Sequence, residues 1–105
     1  MFAPPPVVKT EIFARLPDAL RKKGVRSEWL RHQPGTHWEH SLLEGPSFDA
    51  HANLYCVDIP FGRVFRISPD GSDWTQVTEY DGWPNGLKVH KDGRIFITDY
   101  KRGIV

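Results

Sequence analysis

The chain has 105 residues, 39% hydrophobic and 26% charged, which suits one small folded domain and argues against disorder. Lys and Arg number 14 against 13 Asp and Glu, and the formal net charge of +1 offers no electrostatic basis for binding nucleic acid or an anionic membrane. No apolar run approaches the roughly 20 residues a membrane-spanning helix needs, and a lone cysteine, Cys56, excludes an internal disulfide.

In chain order, Met1-Phe2-Ala3-Pro4-Pro5-Pro6 lacks the basic and apolar regions of a signal peptide, so a cytoplasmic setting is expected. Pro4 to Pro6 should be extended polyproline, without the arginine context of a partner motif. A short helix is predicted near 17–23, started by Pro17 or Asp18, with basic residues in its last turn and Gly24 just past its end. His32-Gln33-Pro34-Gly35 reads as a turn. His37-Trp38-Glu39-His40 falls short of a zinc pattern, because no further Cys/His pair lies in range. Residues 1–42 are thus expected to form an arm.

From Glu44 onward short strands alternate with turns. Leu54 to Val57, Arg63 to Ile67, Thr75 to Glu79, Leu87 to Val89 and Ile95 to Thr98 read as strands. Ser68-Pro69-Asp70-Gly71 is a type I turn signal, and His90-Lys91-Asp92-Gly93 is a second turn. Tyr80 to Gly86 reads as loop, and Ile59-Pro60-Phe61-Gly62 as turn. Aligning Glu44 with Asn85 reveals a repeat with a 41-residue offset and no gaps. It superimposes Gly45 on Gly86, Leu54 on Ile95, Tyr55 on Phe96, Asp58 on Asp99, Gly62 on Gly103 and Val64 on Val105. A period near 40 residues with four short strands per unit is the pattern of a β-propeller blade. The expected fold is therefore all-β, an incomplete β-propeller with a short helical N-terminal arm. Residues 43–105 hold its propeller part, with one blade over 46–79 and the start of a second over 85–105. Propellers close with about four to eight blades, so about one and a half imply a fragment that is not a working enzyme alone. Its open edges, Ile95 to Thr98 among them, should favour self-association.

Leu43-Glu44-Gly45-Pro46-Ser47-Phe48-Asp49, followed by Asn53-Leu54-Tyr55-Cys56-Val57-Asp58-Ile59-Pro60, resembles the opening of the senescence-marker-protein, regucalcin and gluconolactonase family. Asn85-Gly86-Leu87-Lys88-Val89-His90-Lys91-Asp92-Gly93-Arg94-Ile95-Phe96-Ile97 is similar to that family's next inner hairpin. The resemblance implies a six-bladed propeller that hydrolyses small-molecule lactones with a divalent metal in its central channel. Calcium is the expected ion, with zinc, manganese or magnesium as alternatives. It also implies that Glu44, the Glu of Glu-Gly-Pro, ligates the metal, and that the remaining ligands and the acid/base Asp lie on later blades, leaving no catalytic residue here. A strictosidine-synthase-like propeller, or a non-catalytic piece used in binding or assembly, stands as the alternative.

Glu44 and Asn85 share one repeat position, which in a propeller faces the axis. A carboxylate and a carboxamide converging there are hard oxygen donors suited to calcium or magnesium. Read without the family, Glu44 is a solvated loop carboxylate and Asn85 a turn residue before Gly86, while the resemblance implies that Asn85 contacts the substrate. Trp83 either forms an apolar lip on which substrate stacks or packs between blades. Asp58 and Asp99 are expected to cap turns. Cys56 should be a small buried hydrophobe, and His90 a solvated turn residue.

Overall fold

Seven strands separated by turn residues are the main regular elements of a computed structural model that describes residues 2–33 and 40–105. His37, Trp38 and Glu39 of the weighed zinc pattern lie outside the described residues. Strands β1 (Leu43–Phe48), β2 (Leu54–Asp58), β3 (Arg63–Ile67) and β4 (Trp74–Glu79) form an antiparallel sheet in the order β1-β2-β3-β4. Strands β5 (Pro84–Val89), β6 (Ile95–Asp99) and β7 (Gly103–Ile104) form a second antiparallel sheet in the order β5-β6-β7. The protein is thus mostly β with little helix, and among the described residues the two sheets do not close into a ring.

Alternation along the strands explains the packing. Successive side chains point to opposite faces, so β2 sends Cys56 one way and Val57 the other. Cys56 joins Phe65, Ile67 and Leu16 of the arm in one core cluster. Val57 joins Val64, Leu87 and Ile97 in another, between the sheets. Having a hydrophobic layer on each face is why this short run is apolar throughout. The β4 strand borders solvent, and its sequence is correspondingly polar. The Gly71 N–H donates to the Ser68 carbonyl at 2.8 Å, closing the turn read from Ser68-Pro69-Asp70-Gly71. Hydrogen bonds from the Ser68 and Ser72 hydroxyls pull the Asp70 carboxyl down to about 2.

The repeat holds in the backbone as well as in the letters. The Ile59 N–H donates to the Leu42 carbonyl at 3.1 Å, and the Tyr100 N–H to the Trp83 carbonyl at 3.0 Å, each pair 41 residues from the other. The Asp49 N–H donates to the Asn53 carbonyl at 3.1 Å, and the His90 N–H to the Arg94 carbonyl at 2.8 Å, at the same offset.

Several expectations need correction. The helix near 17–23 contracts to a single 3-10 turn, Asp18–Leu20. The carbonyl of Leu20 accepts from the Arg63 guanidinium at 2.6 Å, which removes the acceptor a longer helix would use. A helix unread in the sequence, α1 (Glu28–Arg31), follows and is capped by Ser27, whose Oγ accepts from the Leu30 N–H at 3.2 Å. The first sheet begins at Leu43 rather than 46, and the second at Pro84, inside the segment read as loop. Proline opens β5 without loss because the first residue of an edge strand needs no ladder N–H. Finally, Ile95 to Thr98 is the middle strand of its sheet, with β5 on one side and the short β7 on the other.

Candidate functional site

Two carboxylates set the geometry at the end of the sheets where β1 and β5 begin. Asp58, fully buried, accepts from the Leu42 N–H and the Ser41 hydroxyl, both at 2.8 Å, and from Arg63 Nε and Nη2 at 2.8 and 2.6 Å. Asp99 accepts from the Tyr80 hydroxyl at 2.7 Å and from the N–H groups of Trp83, Lys101 and Arg102 at 3.1, 2.7 and 2.9 Å. Burial alone would raise the Asp99 carboxyl, but these four donors outweigh it and hold the group below its usual range. Burial, and then the hydrogen bond to the Asp99 carboxylate, push the Tyr80 hydroxyl well up. Asp99 caps its turn as expected, through the Lys101 and Arg102 N–H groups, whereas Asp58 makes no side-chain bond to the turn that follows it and spends its oxygens on Arg63 and the entering strand; both tie back to the residue that precedes their sheet.

This tethering fixes Leu42 and Trp83, and two residues later Glu44 and Asn85. Between them the chain bulges, since the register of β1 on β2 shifts between Glu44 and Ser47. Gly45 sits there at φ +60°, where a Cβ would meet the Asn85 carbonyl and the Leu87 N–H at 2.7 Å. Only glycine lets the two strands come this close.

A cleft of 470 Å³ opens above this junction. Three repeat-related pairs line it: Leu42 with Trp83, Glu44 with Asn85, and Ile59 with Tyr100. The three positions singled out in the sequence, Glu44, Trp83 and Asn85, are therefore brought together. Glu44 is exposed, while Trp83 and Asn85 are half-buried. The sequence reading missed Ile59 and Tyr100, although the 41-residue offset that paired Glu44 with Asn85 pairs them too. It also missed the arm. Trp29 is anchored at 8% exposure on α1, and His32 follows with its ring 6.3 Å from that of Trp83, so both face the cleft. The Lys101 ammonium lies 5.6 Å from the Trp83 ring, on the side where Asp81 pairs with Lys101 and Arg102. The arrangement is an aromatic wall facing a carboxylate and a carboxamide, suited to a small polar ring compound.

Glu44 and Asn85 have the donor chemistry of a hard cation, but calcium takes about 6–8 oxygen ligands. Among the described residues no three His, Cys, Asp or Glu side chains converge. These residues alone do not fit a divalent ion. Cys56 is buried, and burial pushes its thiol up to about 12, as an inert core residue requires. His90 bonds the Asp92 backbone in its turn. No helix among the described residues is long and apolar enough to cross a membrane.

Comparison with known proteins yields relatives that include lactonases. The chain is 34% identical over 56 residues to Lactonase drp35 of Staphylococcus aureus, and 36% identical over 56 residues to Lactonase drp35 of Staphylococcus epidermidis. Each match covers 52% of this chain and 17% of the relative, so the chain spans a minor part of the curated relatives' length. No family model and no solved structure matches the chain. The relationship is lactonase-like over about half the chain, and it does not single out the regucalcin group.

Proposed function

We propose that this chain is part of a metal-dependent lactone hydrolase of the senescence-marker-protein and gluconolactonase type, its two sheets being successive units of a propeller. Glu44 lends one oxygen to a divalent ion, calcium first among the candidates, whose other ligands belong to units outside this sequence. Asn85 and Trp83 contact the substrate, a small lactone, with the ring seated on the Trp83 face. One observation carries the reading: residues at the same repeat position, Glu44 and Asn85, line one cleft in a chain whose relatives are lactonases.

The test combines binding and turnover on the 105-residue chain. Titration with glucono-δ-lactone should shift the NMR signals of the Trp83 indole and the Asn85 amide, and Trp83→Ala should abolish the response. Turnover with calcium, manganese or zinc should not exceed the spontaneous rate, because the ligand set is incomplete. Absence of any shift near saturation overturns lactone recognition by this cleft. Robust metal-dependent hydrolysis overturns the view that the site is partial.

A further inference from the structure

Trp83, on which the lactone ring is seated in the reading above, has a neighbour from outside the repeat. The His32 ring lies 6.3 Å from the Trp83 ring, centroid to centroid, with the two planes inclined at 55°. Seating a further ring between two others takes about 7–8 Å, because each stacked pair needs roughly 3.5–4.0 Å between carbon atoms. His32 and Trp83 therefore form a corner and not a slot. One wall is a flat indole face, and the other is an imidazole that carries two polar nitrogens.

Both walls are held from behind. Ser27 caps α1, Trp29 is its buried residue at 8% exposure, and the helix packs on the Ile59–Phe61 turn. His32 ends that helix with its backbone at φ −91° and ψ 3°, and its N–H donates to the Trp29 carbonyl at 3.1 Å. On the other side the Trp83 N–H is fixed by Asp99 at 3.1 Å. The two anchors belong to different parts of the molecule, so the corner is a product of the tertiary fold. Trp29 roots the helix, whereas His32 is exposed at the cleft. Among the described residues no hydrogen bond occupies its ring nitrogens.

We propose that His32 is a specificity-determining contact of this cleft. With a lactone ring stacked on Trp83, the imidazole hydrogen-bonds an oxygen substituent on the rim of that ring. The arm thereby reads one edge of the substrate, while Glu44 and Asn85 hold the side of the sheets. The inference rests on the lactone reading and adds to it a residue that the repeat does not contain. A neutral imidazole donates through one nitrogen and accepts through the other. That pairing suits a hydroxyl, and it gives an unsubstituted ring nothing to bond at its rim.

The test compares glucono-δ-lactone with δ-valerolactone, which has no ring hydroxyls, on the 105-residue chain and its His32→Phe and His32→Gln variants. Phe keeps a flat ring at the corner without the nitrogens, and Gln restores a donor and an acceptor without the ring. Binding of glucono-δ-lactone, followed at the Trp83 indole signal, should weaken about tenfold in His32→Phe, the worth of one hydrogen bond. It should recover in part in His32→Gln, and δ-valerolactone should bind all three chains alike. In the unmodified chain the His32 ring protons should shift with glucono-δ-lactone, a readout that needs no variant to fold. Unchanged glucono-δ-lactone binding by His32→Phe, with the Trp83 signal still responding, overturns this inference and leaves the lactone reading standing. An equal loss for both lactones overturns it too, since shape alone would then explain the effect. A Trp83 signal that responds to neither lactone in the unmodified chain overturns both readings.

Discussion

Asp58 and Asp99 hold equivalent places in the two sheets, and the same task is done with different partners. Both tie the end of an inner strand to the backbone that enters the sheet. Asp58 uses an ion pair with Arg63, which is 2% exposed and stacked 4.8 Å from the Phe65 ring. Asp99 uses neutral donors, three backbone N–H groups and the Tyr80 hydroxyl. The difference follows from what lies overhead. The arm covers Arg63 and offers it the Leu20 carbonyl, so a buried charge there needs a buried counter-charge. The turn after β6 stays near solvent, and amide donors suffice.

The largest effect that would separate the two arrangements is expected at Arg63. Arg63→Met leaves Asp58 as an unpaired buried carboxylate and should cost about 3–5 kcal/mol of unfolding free energy, measured by urea denaturation. A loss below that of an ordinary surface substitution would show that the ion pair does not hold the arm and first sheet together. Asp99→Asn should cost less, roughly 1.5–3 kcal/mol, since an amide oxygen can still accept some of the same bonds. Its effect should also depend on pH. The folded Asp99 carboxyl lies below its unfolded value, so its contribution is complete above about pH 4 and fades as the pH falls through the folded value. Chemical denaturation at two pH values should therefore show wild type and Asp99→Asn converging in acid; a gap that widens in acid would contradict the assignment. The smallest effect is expected at the Lys22 to Glu79 pair, where a 2.7 Å contact joins the arm to β4 at a partly exposed surface. Lys22→Ala should change stability by under about 0.5 kcal/mol and more weakly still in high salt.

The features legible in the sequence were those with a short-range or periodic cause. The turns at Ser68 and His90, the alternating strands and the 41-residue offset all come from local chemistry repeated along the chain, and the offset paired Glu44 with Asn85. What stayed hidden depends on contacts between distant segments. The Leu20 carbonyl loses its helical role to a guanidinium 43 residues away. Arg63 reads as a polar strand residue until Asp58 and the arm enclose it. Trp29 and His32 reach the cleft only because α1 folds back over the Ile59–Phe61 turn. The repeat could have pointed to Ile59 and Tyr100. It could not have pointed to the arm, which has no counterpart within it.

The bulge at Gly45 has a consequence for shape. There the main chains of β1 and β5 all but touch, whereas farther out, at β2, β3 and β6, whole apolar side chains such as Val57, Val64 and Ile97 stand between the sheets. The pair therefore tapers like two staves of a cask, pinched on the inside and spread on the outside. A missing methyl group is what permits that pinch, and an alanine at this one position would have to push the two main chains apart.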